Sequence, residues 1–174
     1  TIPYAAMAAS AHKDLAEIAY FEGELGDVLL HTLKSLNIAE RVGLTREMVA
    51  GYTALSIGFE TSRLPKLADT YAGYAKRTAL AGGDPHDRAF TSLVALVLYS
   101  GRGDWLRADP AARDAIRLYG ELGARGRWRQ SVATDIHSRL TRGKLRSDDP
   151  ALGELESGLD SRVMAEIARL QAMP

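Results

Sequence analysis

The chain has no cysteine among its 174 residues. Disulfide bridges, thiolate nucleophiles and thiolate metal sites are therefore excluded, and so is a small secreted fold held together by bridges. Neither sign of charge dominates, because 22 basic residues balance 22 acidic ones. A balanced charge argues against a protein dedicated to binding polyanions.

Long apolar runs are also missing. No uninterrupted apolar run approaches the length that a membrane-spanning helix needs. The first residues, Thr1-Ile2-Pro3-Tyr4, form neither the basic nor the apolar region of a signal peptide. We therefore expect a cytoplasmic protein without a membrane partner. The missing initiator methionine indicates a fragment of a larger protein, although removal of a tag would leave the same start.

The residues that are plentiful favour helices. Alanine and leucine are abundant, and apolar residues recur at spacings of three and four in nearly every segment. The run Leu93–Tyr99 is the single strand candidate, and its helical flanks predict a helix there too. The sequence thus predicts an all-α fold. Its eight helices should span residues 4–21, 25–42, 46–60, 64–81, 86–100, 107–123, 127–141 and 150–171.

A period of 40 residues organises these helices. Gly43, Gly83 and Gly123 are 40 residues apart, each at the end of a predicted helix, where a left-handed residue is wanted. Loop residues Leu25, Leu64, Trp105 and Leu145 follow at spacings of 39, 41 and 40. Gly23, Gly103 and Gly143 come two residues before three of them, and Ser62 takes that place in the second repeat. The pattern predicts one domain, 1–174, built from four helical hairpins: 4–43, 44–83, 84–123 and 124–171.

Capping residues support several of these boundaries. Asp84-Pro85 and Asp149-Pro150 each place a carboxylate acceptor just before a proline suited to the first helical turn. Thr45 is the predicted N-cap of the third helix, with Glu47 in its first turn.

The third repeat carries Tyr99, then Gly103-Asp104-Trp105, then Ala108 and Ala115, and the first carries Tyr20–Leu25 and Ala39–Gly43. These residues resemble tetratricopeptide-like repeats. They are most similar to the 40-residue variety in bacterial signal-transduction ATPases, adenylate-cyclase-linked regulators and transcriptional activators. The resemblance implies a right-handed superhelix that binds proteins or senses effectors and has no catalytic activity or cofactor. The second repeat lacks the turn glycine, and the fourth has polar Arg139 and Asp148 at pattern positions.

The resemblance also implies a concave groove lined by the first helix of each hairpin. A peptide segment, or neighbouring domains of the parent protein, would bind there through apolar anchors. Packing between repeats is an equal alternative for the same residues. The positions implied are Lys13, Glu17 and Tyr20, then Tyr52, Ser56 and Phe59, then Phe90, and finally Gln130 and His137.

Two stretches offer a nucleic-acid alternative. Residues 38–52 have the small residue, turn glycine and apolar positions of a DNA-binding helix-turn-helix, but the second helix offers few groups for phosphates or base edges. Residues 125–129 mix three arginines with Trp128, which suits phosphate binding and base stacking. A loop and first helical turn with Trp128 packed inside is the favoured alternative. Nucleic acid is therefore not the expected partner.

Residues for catalysis or metal binding do not form a motif. The four histidines, His12, His31, His86 and His137, match no metal-ligand spacing. No nucleophile elbow, phosphate-binding loop or dinucleotide fingerprint is present. We predict a protein that is not an enzyme and binds no metal. A helical bundle with a small-molecule pocket remains a third possibility, and a cavity joining Asp135, His137 and a tyrosine would favour it.

Overall fold

The computed structural model describes residues 2–145, 149–150 and 152. That part of the chain contains seven helices and no strand, which confirms the all-α class. For these seven helices each predicted boundary lies within two residues of the observed one. The eighth predicted helix, 150–171, lies outside the described residues except at Pro150 and Leu152. The helices are α1 (Ile2–Glu22), α2 (Leu25–Val42), α3 (Thr45–Thr61), α4 (Pro65–Gly82), α5 (Pro85–Gly101), α6 (Trp105–Glu121) and α7 (Arg125–Thr141).

The described residues form two compact units, with the division after Val94, inside α5. In the first unit α1 packs on α2, α2 on α3, and α3 on α4. In the second unit α6 packs on α7. Because short turns join these neighbours, consecutive helices run antiparallel. Within the described part of the chain no helix has the length and apolar character needed to cross a membrane.

The turns recur at an interval of exactly half the predicted period. Left-handed residues stand every 20 positions: Gly23, Gly43, Arg63, Gly83, Gly103, Gly123 and Gly143. The equivalent of Gly23 in the second repeat is therefore Arg63, with a φ of 59°, and the assignment to Ser62 was wrong. Ser62 has an ordinary φ of −79°. The error arose because Leu64 precedes α4, whereas Leu25 and Trp105 are the first residues of their helices.

The predicted caps Gly43 and Asp84 are seen to act at helix ends. Gly43 ends α2 in the left-handed region, and its amide donates to the carbonyl of Ala39. Asp84 accepts a hydrogen bond from the amide of His86 at 2.8 Å through Oδ1. Thr45 is not an N-cap as predicted, because it is the first residue of α3 and Leu44 holds the cap position without a side-chain bond.

Small residues set the distance between the helices of the first unit. A Cβ placed on Gly51 would lie 3.2 Å from Cβ of Leu36 on α2, so α3 approaches α2 closely at that point. Ala39 and Ala79, 40 residues apart, are both fully buried. Close approach of this kind needs side chains that end at or before Cβ, and it brings the longer side chains beside them into contact.

Candidate functional site: an aromatic cluster on α3 and α4

Four aromatic rings of the first unit meet at the seam between α3 and α4. We call Tyr52, Phe59, Tyr71 and Tyr74 the aromatic cluster. The ring centroids of Phe59 and Tyr71 are 5.2 Å apart, and those of Tyr52 and Tyr74 are 5.5 Å apart. Tyr71 and Tyr74 meet edge to face at 5.8 Å. These separations are in the range where aromatic pairs attract each other beyond their burial.

Helix periodicity explains why the rings converge. Tyr52 and Phe59 are seven residues, or two turns, apart on α3, so they project from the same side. Tyr71 and Tyr74 are three residues apart on α4, so they are neighbours on one face. Leu67 extends that face by two turns from Tyr74, and both side chains are 43% exposed. The cluster thus has a packed base and an exposed edge.

Charged groups lie at two sides of the cluster. The hydroxyl of Tyr52 donates to Oε1 of Glu40, on α2, at 2.6 Å. Burial, and next the hydrogen bond to the Glu40 carboxylate, raise the pKa of Tyr52 to about 12. The guanidinium of Arg77 lies 4.9 Å from the ring centroid of Tyr74, which shows that this ring face accepts a cation.

The predicted groove residues of the first unit lie in different environments. Tyr52 and Phe59 belong to the aromatic cluster. Ser56 is fully buried and donates to the carbonyl of Thr53 at 2.7 Å. Phe90 on α5 is partly buried. The groove positions on α1 are all exposed, and they are Lys13, Glu17 and Tyr20.

The exact 40-residue spacing changes the alignment of the second repeat. The equivalents of Lys13, Glu17 and Tyr20 in that repeat lie one position beyond those chosen from the sequence. They are Thr53, Ile57 and Glu60, of which Ile57 is exposed. Tyr52, Ser56 and Phe59 stay the predicted groove positions of that repeat, one residue before the exact 40-residue equivalents of those on α1.

Sequence reasoning did not select Tyr71 or Tyr74, although a signal for them exists. Tyr52 and Tyr71 are the 40-residue equivalents of His12 and His31. In the first hairpin those two imidazoles stack with centroids 5.2 Å apart and Nδ1 atoms 3.0 Å apart. A ring pair therefore recurs at one position of successive hairpins. Comparison of the repeats with the correct register would have shown it.

The helix-turn-helix stretch offers little surface for a base edge. Val49 and Gly51 are buried, and Tyr52 is bound to Glu40. The turn at Gly43 is one of seven left-handed turns in the described chain, so it does not distinguish this helix pair from the others.

Trp128 of the basic stretch is partly buried in the second unit. It packs against the cluster of Val132 and Ile136. Its ring lies 3.5 Å from where a Cβ on Gly120 of α6 would be. Arg127 hydrogen-bonds to Gln130, a predicted groove residue, at 2.9 Å. The structure therefore gives Trp128 a packing role, as the favoured alternative expected.

A cleft of about 470 Å³ lies in the second unit. The residues that line it are Asp109, Arg113, Asp135, Arg139, Arg142, Asp149 and Pro150. Arg142 binds both carboxylate oxygens of Asp109, at 2.6 and 3.1 Å, and its guanidinium lies 5.2 Å from the ring of Trp105. Arg139 pairs with Asp135 at 2.9 Å and also with Asp149.

The three acidic residues of this cleft are paired with two of its arginines, Arg139 and Arg142. The hydrogen bond from Arg142 lowers the pKa of Asp109, whereas burial raises the pKa of Asp135. His137 is exposed and is absent from the described lining, so the combination of Asp135, His137 and a tyrosine is not found there. Among the described residues no group of three or more histidine or acidic side chains is placed to hold a metal. The cleft has the character of a salt-bridge network that joins α6, α7 and the segment after α7.

No family model, curated protein or solved structure matches this chain.

Proposed function

We propose that this chain is a protein-interaction module of the tetratricopeptide-like kind, which binds an apolar segment of a partner protein at the aromatic cluster. The observation that carries the proposal is the exposed edge of that cluster. Leu67 and Tyr74 expose apolar surface two turns apart on one face of α4, and the ring of Tyr74 packs on Tyr52 and Tyr71. Rigid aromatic anchors on a preformed base are typical of sites where a few residues provide most of the binding energy.

The groups around the cluster define the chemistry of the segment. An aliphatic or aromatic anchor would pack on Leu67 and on the ring of Tyr74. A basic residue beside the anchor would meet the carboxylate of Glu40 and the faces of the tyrosine rings. Arg77 already takes a ring face of Tyr74 in this way. We therefore expect the preferred segments to combine an apolar anchor with an adjacent arginine or lysine.

The resemblance to tetratricopeptide-like repeats also indicates the kind of protein that would contain this module. Stacked hairpins of equal length fit a right-handed superhelix in a cytoplasmic multidomain regulator, in which binding would be relayed by shifts between repeats. The equal 20-residue spacing of the turns supports the stacking. In this role the chain has no catalytic activity and needs no cofactor.

The test is a selection from a displayed library of random short peptides against the immobilised chain. Enriched peptides would be synthesised with a fluorophore, and their affinities measured by anisotropy for the unaltered chain and for Tyr74→Ser and Leu67→Ser. We expect each substitution to weaken binding by about 10-fold or more, because it removes an anchor contact. Leu80→Ser is the matched control, since Leu80 is also an exposed leucine of α4 but faces another direction.

Two results would contradict the proposal. One is that no peptide is enriched over a blank surface. The other is that the enriched peptides bind the Tyr74 and Leu67 variants as tightly as the unaltered chain. Binding to generic duplex DNA at low salt, lost steeply as salt rises, would instead favour the helix-turn-helix alternative.

A further inference from the structure

An exposed apolar stripe runs along α1, and we call Tyr4, Met7, Ala11, Leu15 and Ile18 the outer stripe. The spacings of three and four residues place all five on one face. The exposed fractions of the four large side chains are 75% for Tyr4, 69% for Met7, 43% for Leu15 and 54% for Ile18. Ala9, Ala16 and Ala19, on the other side of α1, are buried. The helix is thus apolar on two sides, of which only one is covered by described residues.

The equivalent stripe on α3 shows what covers such a face. Adding 40 to each position gives Leu44, Glu47, Gly51, Leu55 and Gly58. Leu55, the equivalent of Leu15, is only 1% exposed. A Cβ on Gly51 would lie 3.2 Å from Leu36, and a Cβ on Gly58 would lie 3.7 Å from Leu29. The partner of this stripe is therefore α2, the second helix of the preceding hairpin.

We propose that the outer stripe of α1 is the surface on which the second helix of a further 40-residue hairpin of the same polypeptide packs. The stripe continues an interface that the structure already contains between α2 and α3. Ala11 stands at the position of Gly51, where a small side chain lets the covering helix approach closely. The covering helix would carry two apolar residues seven positions apart, as Leu29 and Leu36 do on α2.

The same geometry argues against a second folded copy as the source of that helix. In each copy the side of α2 that carries Leu29 and Leu36 is already occupied by the copy's own α3. A second copy would have to open its own α2–α3 interface to offer that side. A further hairpin has an unoccupied side at its end, and it needs no such opening.

The experiment compares the unaltered chain with an extended chain in which a copy of residues 4–43 is placed directly before Tyr4. This junction repeats the natural step from Gly43 to Leu44, so the 40-residue register is kept. Leu15→Ser is introduced into the original α1 of both chains, and unfolding in urea is followed by circular dichroism. We expect little change in the unaltered chain, and in the extended chain an increase of about 10-fold or more in the unfolding equilibrium constant, because Leu15 is then buried.

Leu106→Ser is the control, because Leu106 lies in the second unit and is 88% exposed, so its effect should be equal in both chains. Ala11→Trp is a second probe of the stripe, expected to be tolerated in the unaltered chain and destabilising in the extended one.

The inference is wrong if Leu15→Ser has the same effect in both chains, or if the added hairpin gives no additional helical signal. It is also wrong if sedimentation shows the unaltered chain to be a dimer that Leu15→Ser dissociates. The peptide selection concerns α3 and α4, so its failure would leave this result intact.

Discussion

Replacing Arg63 with glycine should make the first unit more stable, although the substitution deletes a long side chain. Arg63 is the one non-glycine residue with positive φ in the described chain, at 59°. Its side chain is exposed, so little packing is lost with it. The six other left-handed turn positions of the 20-residue series are all glycine. The second repeat therefore holds a backbone conformation that its residue disfavours.

The magnitude follows from two opposing terms. An L-residue in the left-handed region costs about 1–2 kcal/mol relative to its preferred conformations. Glycine offsets about 0.5–1 kcal/mol of the stability gained by removing this strain, because it gives the unfolded chain greater conformational freedom. The net gain for Arg63→Gly is then about 1 kcal/mol. For a unit of this size that corresponds to a rise of about 4–8 °C in the melting temperature.

Urea and thermal unfolding of the full chain, followed by circular dichroism, would measure the change. Ser62→Gly is the matched control, because Ser62 has a φ of −79° and gains nothing from glycine, so it should lose about 0.5–1 kcal/mol. Gly43→Ala is the reverse test, since no neighbouring atom lies within 4 Å of the added Cβ and only backbone strain acts. The prediction is wrong if Arg63→Gly is no more stable than the unaltered chain, or if Gly43→Ala leaves the free energy of unfolding unchanged.

Three further outcomes are expected from the packing and electrostatics. In a spectrophotometric titration one ionisation step should occur near pH 12, and this step should be absent from Tyr52→Phe. Because folding raises the pKa of Tyr52, the stability that its hydroxyl provides should be present below pH 10 and be lost between pH 10 and about 12. A titration in which every tyrosine ionises near pH 10 would contradict this prediction. Gly51→Ala should destabilise the first unit by about 1–3 kcal/mol in urea unfolding, because the added methyl meets Leu36 at 3.2 Å, and a neutral result would show that α2 and α3 separate easily. Arg142→Ala should destabilise the second unit by about 2 kcal/mol, because it leaves Asp109 without its bidentate partner and removes the contact with Trp105. The fluorescence of Trp105 should report this change. The control is Arg113→Ala, on the exposed side of the same cleft.

The sequence was sufficient to predict the helices and the period because both are local properties. Apolar spacing defined each described helix, and Gly43, Gly83 and Gly123 marked three of the seven left-handed turns. The turn of the second repeat could not be identified from glycine, because Arg63 adopts the left-handed conformation without being the residue type that signals it. The groove positions of that repeat were chosen without this turn, and they lie one residue before the exact 40-residue equivalents of those on α1.

The aromatic cluster was only half predicted for a different reason. Tyr52 and Phe59 share one helix, so their common face can be seen in the sequence. Their contacts with Tyr71, and that of Tyr52 with Glu40, depend on how α2, α3 and α4 pack, and residue spacing along a single helix does not determine this. The division of the described residues after Val94 was likewise not visible, because it falls inside the continuous apolar face of α5.

The constant 20-residue interval has a physical cause that connects the turns with the outer stripe. A helix of 17 residues is about 25 Å long, and each helix of α3 to α7 has 17 or 18 residues. If one helix were longer, its last turn would extend past its neighbour with apolar residues exposed, and if it were shorter, the neighbour would be left uncovered. Equal lengths allow one helix to cover the helix that follows it, as α2 covers α3 from Gly51 to Gly58. Ala11 and Ile18 are the 40-residue equivalents of Gly51 and Gly58, so this part of the outer stripe has the length of the stretch that α2 covers and matches one more helix of the series.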